Sequence, residues 1–288
     1  MPATPEIIVL GLRTVSFVAD LQAAGIVIFL IIFRPYIERS AVSIRSLGAS
    51  MAIAGLILSL GNHLLEPARM VGSFSGVFDP SMHKMLLETN VASAAVVRIG
   101  GLVMIWLGMR AVPSRGDTAA LIGATVVAFS FALTGHTSAH DQQWVLVVLL
   151  LTHLLCVALW FGALPALLIA TQQETSENLG RVIVAFTSLA TRVVPALFLV
   201  GVGMSVLLLE EISNLWTPYG TSLLIKVAGF AVLMGLASLN KWRLGPAITS
   251  GSATSIVTFR RSVVSELILI IGIIAVTAVM TGLFSPTH

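Results

Sequence analysis

Histidine and methionine are the side chains in this sequence best suited to bind a metal ion, and two short groups of them stand out. His136 and His140 have the spacing i, i+4 and precede an aspartate, so on a helix both imidazoles would share one face and chelate one ion. Met82, His83 and Met85 provide two thioethers and an imidazole within one helical turn. Thioethers favour Cu(I), and imidazole suits copper, zinc and iron. The two groups therefore predict a metal site, with Cu(I) as the favoured ion.

A third candidate group runs along an apolar segment, where His153, Cys156 and Trp160 have the spacing i, i+3, i+7. On a helix these side chains share one face, as a relay from the surface toward the membrane centre would require. Structural interpretations stay open for the candidate ligands. A single histidine in a membrane helix often hydrogen-bonds to a neighbouring helix, and a buried cysteine often only packs. Met82 and Met85 could simply cover helix ends.

Several charged residues interrupt apolar segments, where a charge is costly and is therefore a candidate for function. They are Arg13, Asp20, Arg98, Lys226, Arg192 and Glu266. We expect Asp20 to pair with Arg98 or Lys226. The remaining cations would extend toward the membrane surface or neutralise an anionic group such as a cofactor carboxylate. Arg192 and Glu266 lie at similar depth, and we expect them to form an architectural pair, because burying either one alone would cost several kcal/mol.

The composition indicates which kind of element must position these residues. Of 288 residues, 57% are hydrophobic and 10% are charged, and the mean hydropathy is +0.99. Soluble domains carry about 25% charged residues, so an ordinary soluble fold is excluded. A bilayer core of about 30 Å needs roughly 20 apolar residues per helix. The sequence therefore predicts an all-α, polytopic membrane bundle of about eight transmembrane helices, near Ile7–Phe33, Leu47–Leu65, Val91–Val112, Thr118–Thr134, Gln142–Ala170, Leu189–Leu209, Thr221–Lys241 and Ser262–Phe284.

Two connections between these segments are long. Glu66–Asn90 contains prolines and glycines and is expected to form an ordered loop or a short surface helix. Trp242–Arg261 is the other long connection. The amphipathic stretch Ser176–Ser188 is expected to lie along the membrane surface before the next transmembrane helix begins.

The whole chain, 1–288, is interpreted as a single membrane domain. A repeated spacing of hydroxyl and basic residues suggests that it consists of two four-helix halves in parallel duplication, 1–134 and 135–288. The repeated residues are Thr89, Ser93 and Arg98 in the first half, and Thr217, Thr221 and Lys226 in the second.

Basic residues are distributed unevenly between the two sets of loops, ten against two. Because cytoplasmic loops are rich in lysine and arginine, this bias places both termini outside the cytoplasm. The net charge of +3 reflects basic loops beside an anionic lipid surface, so we expect the lipid bilayer and not nucleic acid as their partner. In this topology His63, His83, His136 and His140 lie at the outer face. His153 lies about 16 Å below it, at a rise of about 1.5 Å per residue.

A series of short motifs follows in a fixed order: Thr134-Gly135-His136-Thr137, His153, Trp160-Phe161-Gly162-Ala163-Leu164, Arg181, Phe186-Thr187-Ser188-Leu189-Ala190, Gly201, Thr217-Pro218-Tyr219-Gly220, Leu223-Leu224, Lys226, Asn240, Leu244-Gly245-Pro246, Arg261-Ser262 and Glu266. This series resembles the copper resistance protein D family of bacterial inner-membrane proteins. The resemblance is strongest over residues 134–266.

The resemblance implies an eight-helix, multi-pass inner-membrane protein that handles copper and imports it toward the cytoplasm. It also implies a small, separate periplasmic copper-binding protein as partner. By position, His136 and His153 match the family's histidines, and Lys226 and Glu266 match its intramembrane charges. His140 and the group around His83 lie outside the shared pattern, so their role depends on ligand chemistry alone.

Functions of different classes remain open at this point. In the leading hypothesis the protein is not an enzyme, and the outer ligands capture copper that His153 then accepts at depth. In the alternative it is a haem-binding membrane oxidoreductase with His63 and His153 as axial ligands. Arg13, Arg98 or Lys226 would then pair with the haem propionates. A purely structural role in an assembly is the third possibility.

Overall fold

The computed structural model describes residues 4–135, 141–209, 211–249 and 253–284. Within them, eight helices are long and apolar enough to cross a membrane, which confirms the predicted all-α, eight-helix architecture. The α-helices are α1 (Thr4–Phe33), α2 (Ala41–Val71), α3 (Pro80–Leu87), α4 (Asn90–Arg110), α5 (Arg115–Ser130), α6 (Gln143–Gln173), α7 (Ser176–Leu209), α8 (Pro218–Leu239), α9 (Gly245–Thr249) and α10 (Ala253–Leu283). Of these, α3 and α9 are short, and a π-helical turn, Asn240–Leu244, joins α8 to α9.

The prediction that Ser176–Ser188 lies along the membrane surface is wrong. These residues form the first turns of α7, which continues without a break for 34 residues, or about 51 Å. No glycine or proline interrupts residues 181–194, where the two predicted elements join. Leu179, Val182 and Ile183 are buried inside the bundle. The apolar face of the stretch therefore packs on neighbouring helices instead of on lipid.

The long connection after α2 contains the short helix that was expected there. α2 runs through the buried Pro67 and ends where Gly72 adopts a left-handed conformation, with φ of 73°. A 3₁₀ turn, Phe74–Phe78, and α3 follow. The second long connection, Trp242–Arg261, is mostly helical in its described residues, because α9 lies within it and α10 already begins at Ala253.

Helix α1 lies at the centre of the bundle and packs on α2, α5, α6 and α10. The α1–α6 crossing is a close approach, because Gly25 of α1 meets the backbone of Ala158 and Gly162 on α6. Small residues let two membrane helices approach in this way. α7 packs mainly on α6, and α8 packs mainly on α10. The described parts of α7 and α8 make few contacts with each other, and one of these is the stacked pair Phe198–Phe230.

The loops predicted to carry most of the basic residues meet at one end of the bundle. Arg34 and Arg45 both pair with Asp117, at 2.9 and 2.7 Å. The Ser40 hydroxyl donates to Glu174 Oε1 at 2.7 Å. We call this the basic end; α1, α4, α6 and α8 finish there, and the opposite end is the histidine end. The assignment of the basic end to the cytoplasm stays a prediction.

The repeated threonines occupy equivalent positions in the fold. Thr89 is the N-cap of α4 and Thr217 is the N-cap of α8, and both backbones are extended there. Each hydroxyl donates to the carbonyl oxygen three residues earlier, at 2.6 Å for Thr89 and 2.7 Å for Thr217. Duplication of a four-helix half stays a prediction.

Candidate metal-binding and intramembrane polar sites

His153 lies inside the bundle, about 15 Å along α6 from its first residue, Gln143. Its ring faces Gly201 on α7, where any side chain would come into contact with the imidazole. The Lys226 ammonium on α8 is close enough to act on the ring electrostatically. Nδ1 of His153 is buried and has no hydrogen-bond partner among the described residues. A buried ring nitrogen without a hydrogen-bond partner is costly. In the tautomer that carries its proton on Nε2, the lone pair of Nδ1 is free to bind a ligand.

His63 lies on α2, toward the histidine end. Its Nδ1 is also buried without a partner in the described part of the chain, as is Oδ1 of the adjacent Asn62. α1 packs between α2 and α6, and these two helices touch each other only slightly. This arrangement does not favour His63 and His153 as the two axial ligands of one haem, because such ligands project from facing helices.

The methionine–histidine group lies on α3, outside the membrane-spanning helices. The ring of His83 makes a hydrogen bond through Nε2 with the carbonyl oxygen of Val77, at 2.7 Å, so only Nδ1 is left for a metal ion. Met82 is half-buried and Met85 is exposed. The group is therefore accessible to an ion or to a soluble protein at the histidine end.

The N-cap of α3 controls the presentation of this group. The Asp79 carboxylate accepts from the Ser81 hydroxyl at 2.6 Å and from the Ser81 backbone N–H at 2.8 Å. These hydrogen bonds, with the hydroxyl first in importance, hold the pKa of Asp79 below its usual range. The cap is thus fully formed above the unfolded-state pKa and is lost as the pH falls through the lower folded-state value.

We predict that Asp79→Ala will loosen α3, because a helix loses stability when its N-cap acceptor is removed. Amide hydrogen exchange should become several-fold faster in α3 and stay unchanged in α6. After correction for the intrinsic pH dependence of amide exchange, acidification of the wild type should lower the protection of α3 in the same way, and the protection of α3 in Asp79→Ala should not respond to acid. Equal exchange rates in variant and wild type would show that the cap does not hold α3.

His136 and His140 lie outside the described residues. On either side, the 3₁₀ turn after α5 ends at Leu133 and α6 begins at Gln143. Among the described residues, no three side chains of the His, Cys, Asp and Glu types come together as a metal site. The assignment of metal ligands therefore stays a prediction.

The stripe below His153 divides into two environments. Cys156 is a free, half-buried thiol that packs against the apolar core. Trp160 is buried, and its indole N–H donates to Glu266 Oε2 on α10 at 3.2 Å. The Asn240 side-chain amide donates to Glu266 Oε1. The indole of Trp160 is therefore a hydrogen-bond donor to the Glu266 carboxylate.

The expected pair between Arg192 and Glu266 is wrong. Arg192 is exposed on α7, and Glu266 is buried with Trp160 and Asn240 as its hydrogen-bond donors. The side of α7 that faces Glu266 instead presents Thr187 and its neighbours to a cavity. The two charges were expected at a similar depth in the membrane, but they point in different directions from their helices.

The expected pair between Asp20 and Arg98 is confirmed. Asp20 is fully buried, and its Oδ2 lies 3.8 Å from Nε of Arg98. Arg98 Nε also donates to the Ser130 hydroxyl at 3.0 Å, and the Ser16 hydroxyl donates to Asp20 Oδ2 at 3.5 Å. The pair joins α1 to α4 and α5.

Arg13 lies on the histidine-end side of this pair. Its guanidinium lies 5.4 Å from the ring centre of Phe17 and is within electrostatic range of Glu66. Glu66 in turn pairs with Arg69 at 2.5 Å. Polar groups therefore follow the α1–α2 interface from the histidine end down to Asp20.

Comparison with known proteins gives the family. Residues 3–143 match the family model described as copper resistance protein D-like, N-terminal domain, and residues 180–280 match the model described as copper resistance protein D. The chain belongs to the copper resistance protein D family. Copper resistance protein D of Pseudomonas syringae pv. tomato is 29% identical over 263 residues, which cover 80% of this chain and 82% of that protein. No solved structure matches the chain.

Membership of the copper resistance protein D family assigns the chain a copper-related resistance function as a multi-pass inner-membrane protein. The match over 3–143 includes Asp20 and Arg98. The similarity to the family therefore also covers the part of the chain before Thr134, where the motif series has no members. Lys226 and Glu266 fall within the second matched segment. His153 lies between the two matched segments.

Proposed function

We propose that this copper resistance protein D homologue binds copper at the histidine end and imports it toward the basic end. The buried Nδ1 of His153, which has no hydrogen-bond partner among the described residues, carries the proposal. It is a metal-ligand atom inside the bundle, on a helix that spans both halves of the membrane. A neutral imidazole is a common ligand for copper.

The candidate ligands of the histidine end would bind copper first, at the surface. They are Met82, His83, Met85, His136 and His140. Their thioethers and imidazoles favour Cu(I) over hard cations. Because α3 lies beyond the membrane-spanning helices, a small periplasmic copper-binding protein could transfer its ion there. The positive-inside bias supports this orientation, since it places the histidine end outside.

We predict that His153→Ala will weaken Cu(I) binding by at least about tenfold, or about 1.4 kcal/mol. The measurement is a Cu(I) titration against a competing chelator in detergent. Thr152→Ala is the matched control, because Thr152 is exposed on the same turn and its hydroxyl donates to the carbonyl oxygen of Val148 on its own helix. Equal affinity and stoichiometry in the wild type and His153→Ala would remove His153 from the site.

Two further measurements separate the alternatives. An absorption spectrum of the purified protein tests the haem hypothesis, since a Soret band would contradict a copper-only protein. Import itself requires that reconstituted vesicles accumulate copper above the level of empty vesicles. Binding without accumulation would leave a copper-binding or sensing protein.

A further inference from the structure

A cavity of about 210 Å³ lies between α6, α7, α8 and α10, toward the basic end. It is large enough for several water molecules, each of which takes about 30 Å³ in the liquid. Its walls are largely apolar, and its polar groups come from Glu266, Asn240, Thr187, Thr191, Ser238 and Lys241. Exposed residues such as Trp242 also border it, so it reaches the surface of the bundle.

Glu266 is the buried acid of this cavity, with 3% of its surface exposed. The two hydrogen-bond donors that the described residues supply to it, the Trp160 indole and the Asn240 amide, are neutral. Among the described residues, no basic side chain lies within ion-pair distance of it. A buried carboxylate without a counter-charge is strongly disfavoured. It must therefore hold a proton or a cation for at least part of the time.

The charged groups around Glu266 do not supply that counter-charge. On the α8 side, the ammonium of Lys241 interacts with the Thr191 hydroxyl at 3.2 Å and lies 5.8 Å from the Trp242 ring. On α10 itself, Arg260 and Arg261 are exposed nearer the basic end. The polar residues that α7 presents to the cavity are threonines, and α6 contributes Trp160. On α1, the side-chain amide of Gln22 donates to the carbonyl oxygen of Phe161, next to Trp160.

The polar atoms near Glu266 select the kind of cation. Oδ1 of Asn240 and the hydroxyl of Ser262, one turn before Glu266, are buried and without partners in the described part of the chain. The available acceptors are thus all oxygen atoms. Cu(I) prefers thiolate and thioether sulfur, so an oxygen-only set is a poor copper site. It is well suited to water and to a proton.

We propose that Glu266 binds and releases a proton through this cavity, and that copper movement through the bundle is coupled to that exchange. An O–H bond forms at the carboxyl group as an O–H bond of a hydronium ion in the cavity breaks and leaves neutral water, and the reverse step returns the proton to the water. Only the coupling rests on the proposed import function. His153 and Trp160 lie on one helix about 10 Å apart, so a single element joins the candidate copper ligand to the proton site.

Infrared spectroscopy tests proton binding without any transport. The difference spectrum between wild type and Glu266→Gln should contain a protonated carboxyl band that is lost as the pH is raised. Trp160→Phe removes one hydrogen-bond donor and should shift that band, which a merely structural role would not do. Glu177→Gln is the control, because Glu177 is exposed in a surface pair with Arg181. No band in the difference spectrum at any pH would overturn the proton site.

Vesicles with an internal pH dye test the coupling. Wild-type copper uptake should move protons, and its rate should depend on the pH at the basic end, whereas Glu266→Gln should lose that dependence. Unchanged proton movement in Glu266→Gln would overturn the coupling. If the wild type takes up no copper, the proposed import fails, and the infrared result decides the proton site independently.

Discussion

Gly25→Ala will strongly destabilise the protein, because it places a methyl group inside the backbone of another helix. A Cβ at Gly25 would overlap the carbonyl group of Ala158, and a Cβ at Gly162 would overlap the backbone of Gly25 and Ile26. Overpacking of a core costs about 1–3 kcal/mol when side chains can adjust. Here the obstructing atoms belong to the backbone, so α1 and α6 must move apart. We therefore expect the free energy of unfolding to fall by about 3 kcal/mol or more.

Thermal unfolding of the purified protein in detergent measures the effect of Gly25→Ala, together with the yield of monodisperse protein. Gly11→Ala is the matched control on the same helix, since in the described part of the chain no side chain or other helix lies within 4 Å of a Cβ at Gly11. It should be neutral or slightly stabilising, because alanine favours a helix by up to about 1 kcal/mol over glycine. Equal melting temperatures for the two variants would show that the α1–α6 crossing tolerates a wider separation.

The α1–α6 crossing also affects the inner cavity. Gly162 lies two residues after Trp160, and the Gln22 amide of α1 donates to the carbonyl oxygen of Phe161 at 3.0 Å. A shift of α6 away from α1 would therefore move the indole that donates to Glu266. We expect Gly25→Ala protein that still folds to show an altered carboxyl band, even though residue 25 does not border the cavity.

The eight helices were predictable from sequence because a bilayer imposes one length and one composition on every crossing. The Asp20–Arg98 pair was predictable for a similar reason, since a buried charge needs a partner and few were available. In both cases a single physical requirement leaves little choice.

The Arg192–Glu266 pair was mispredicted because depth in the membrane was known and direction around the helix was not. Arg192 and Thr191 are neighbours in sequence, yet Thr191 borders the cavity and Arg192 is exposed beside it. Direction depends on how α7 packs against α6, which hydropathy does not encode. The cavity was missed for the same reason, because its lining comes from four helices, α6, α7, α8 and α10, whose mutual packing the sequence does not show. Asn240 belonged to the motif series, but its contact with Glu266 required the fold.

Asp20→Ala should reduce the free energy of unfolding by about 3–5 kcal/mol, the usual cost of breaking a buried ion pair. The loss arises because Arg98 would stay in the bundle with a neutral hydroxyl, Ser130, and the Phe131 ring, 4.1 Å away, as its main contacts. Neither group carries the negative charge that the guanidinium needs. Glu38→Ala, an exposed acidic position at the basic end, should leave stability unchanged.

A double-mutant cycle separates the ion pair from simple loss of packing. Arg98→Leu alone should also be destabilising, because Asp20 is fully buried and its Oδ1 already lacks a partner in the described part of the chain. Asp20→Leu combined with Arg98→Leu should be more stable than either single variant, since apolar replacement of a whole buried pair is often neutral. Additive losses in the double variant would mean that the two charges do not interact. If instead the double variant is stable but no longer binds or moves copper, the Asp20–Arg98 pair is needed for copper handling and not for stability.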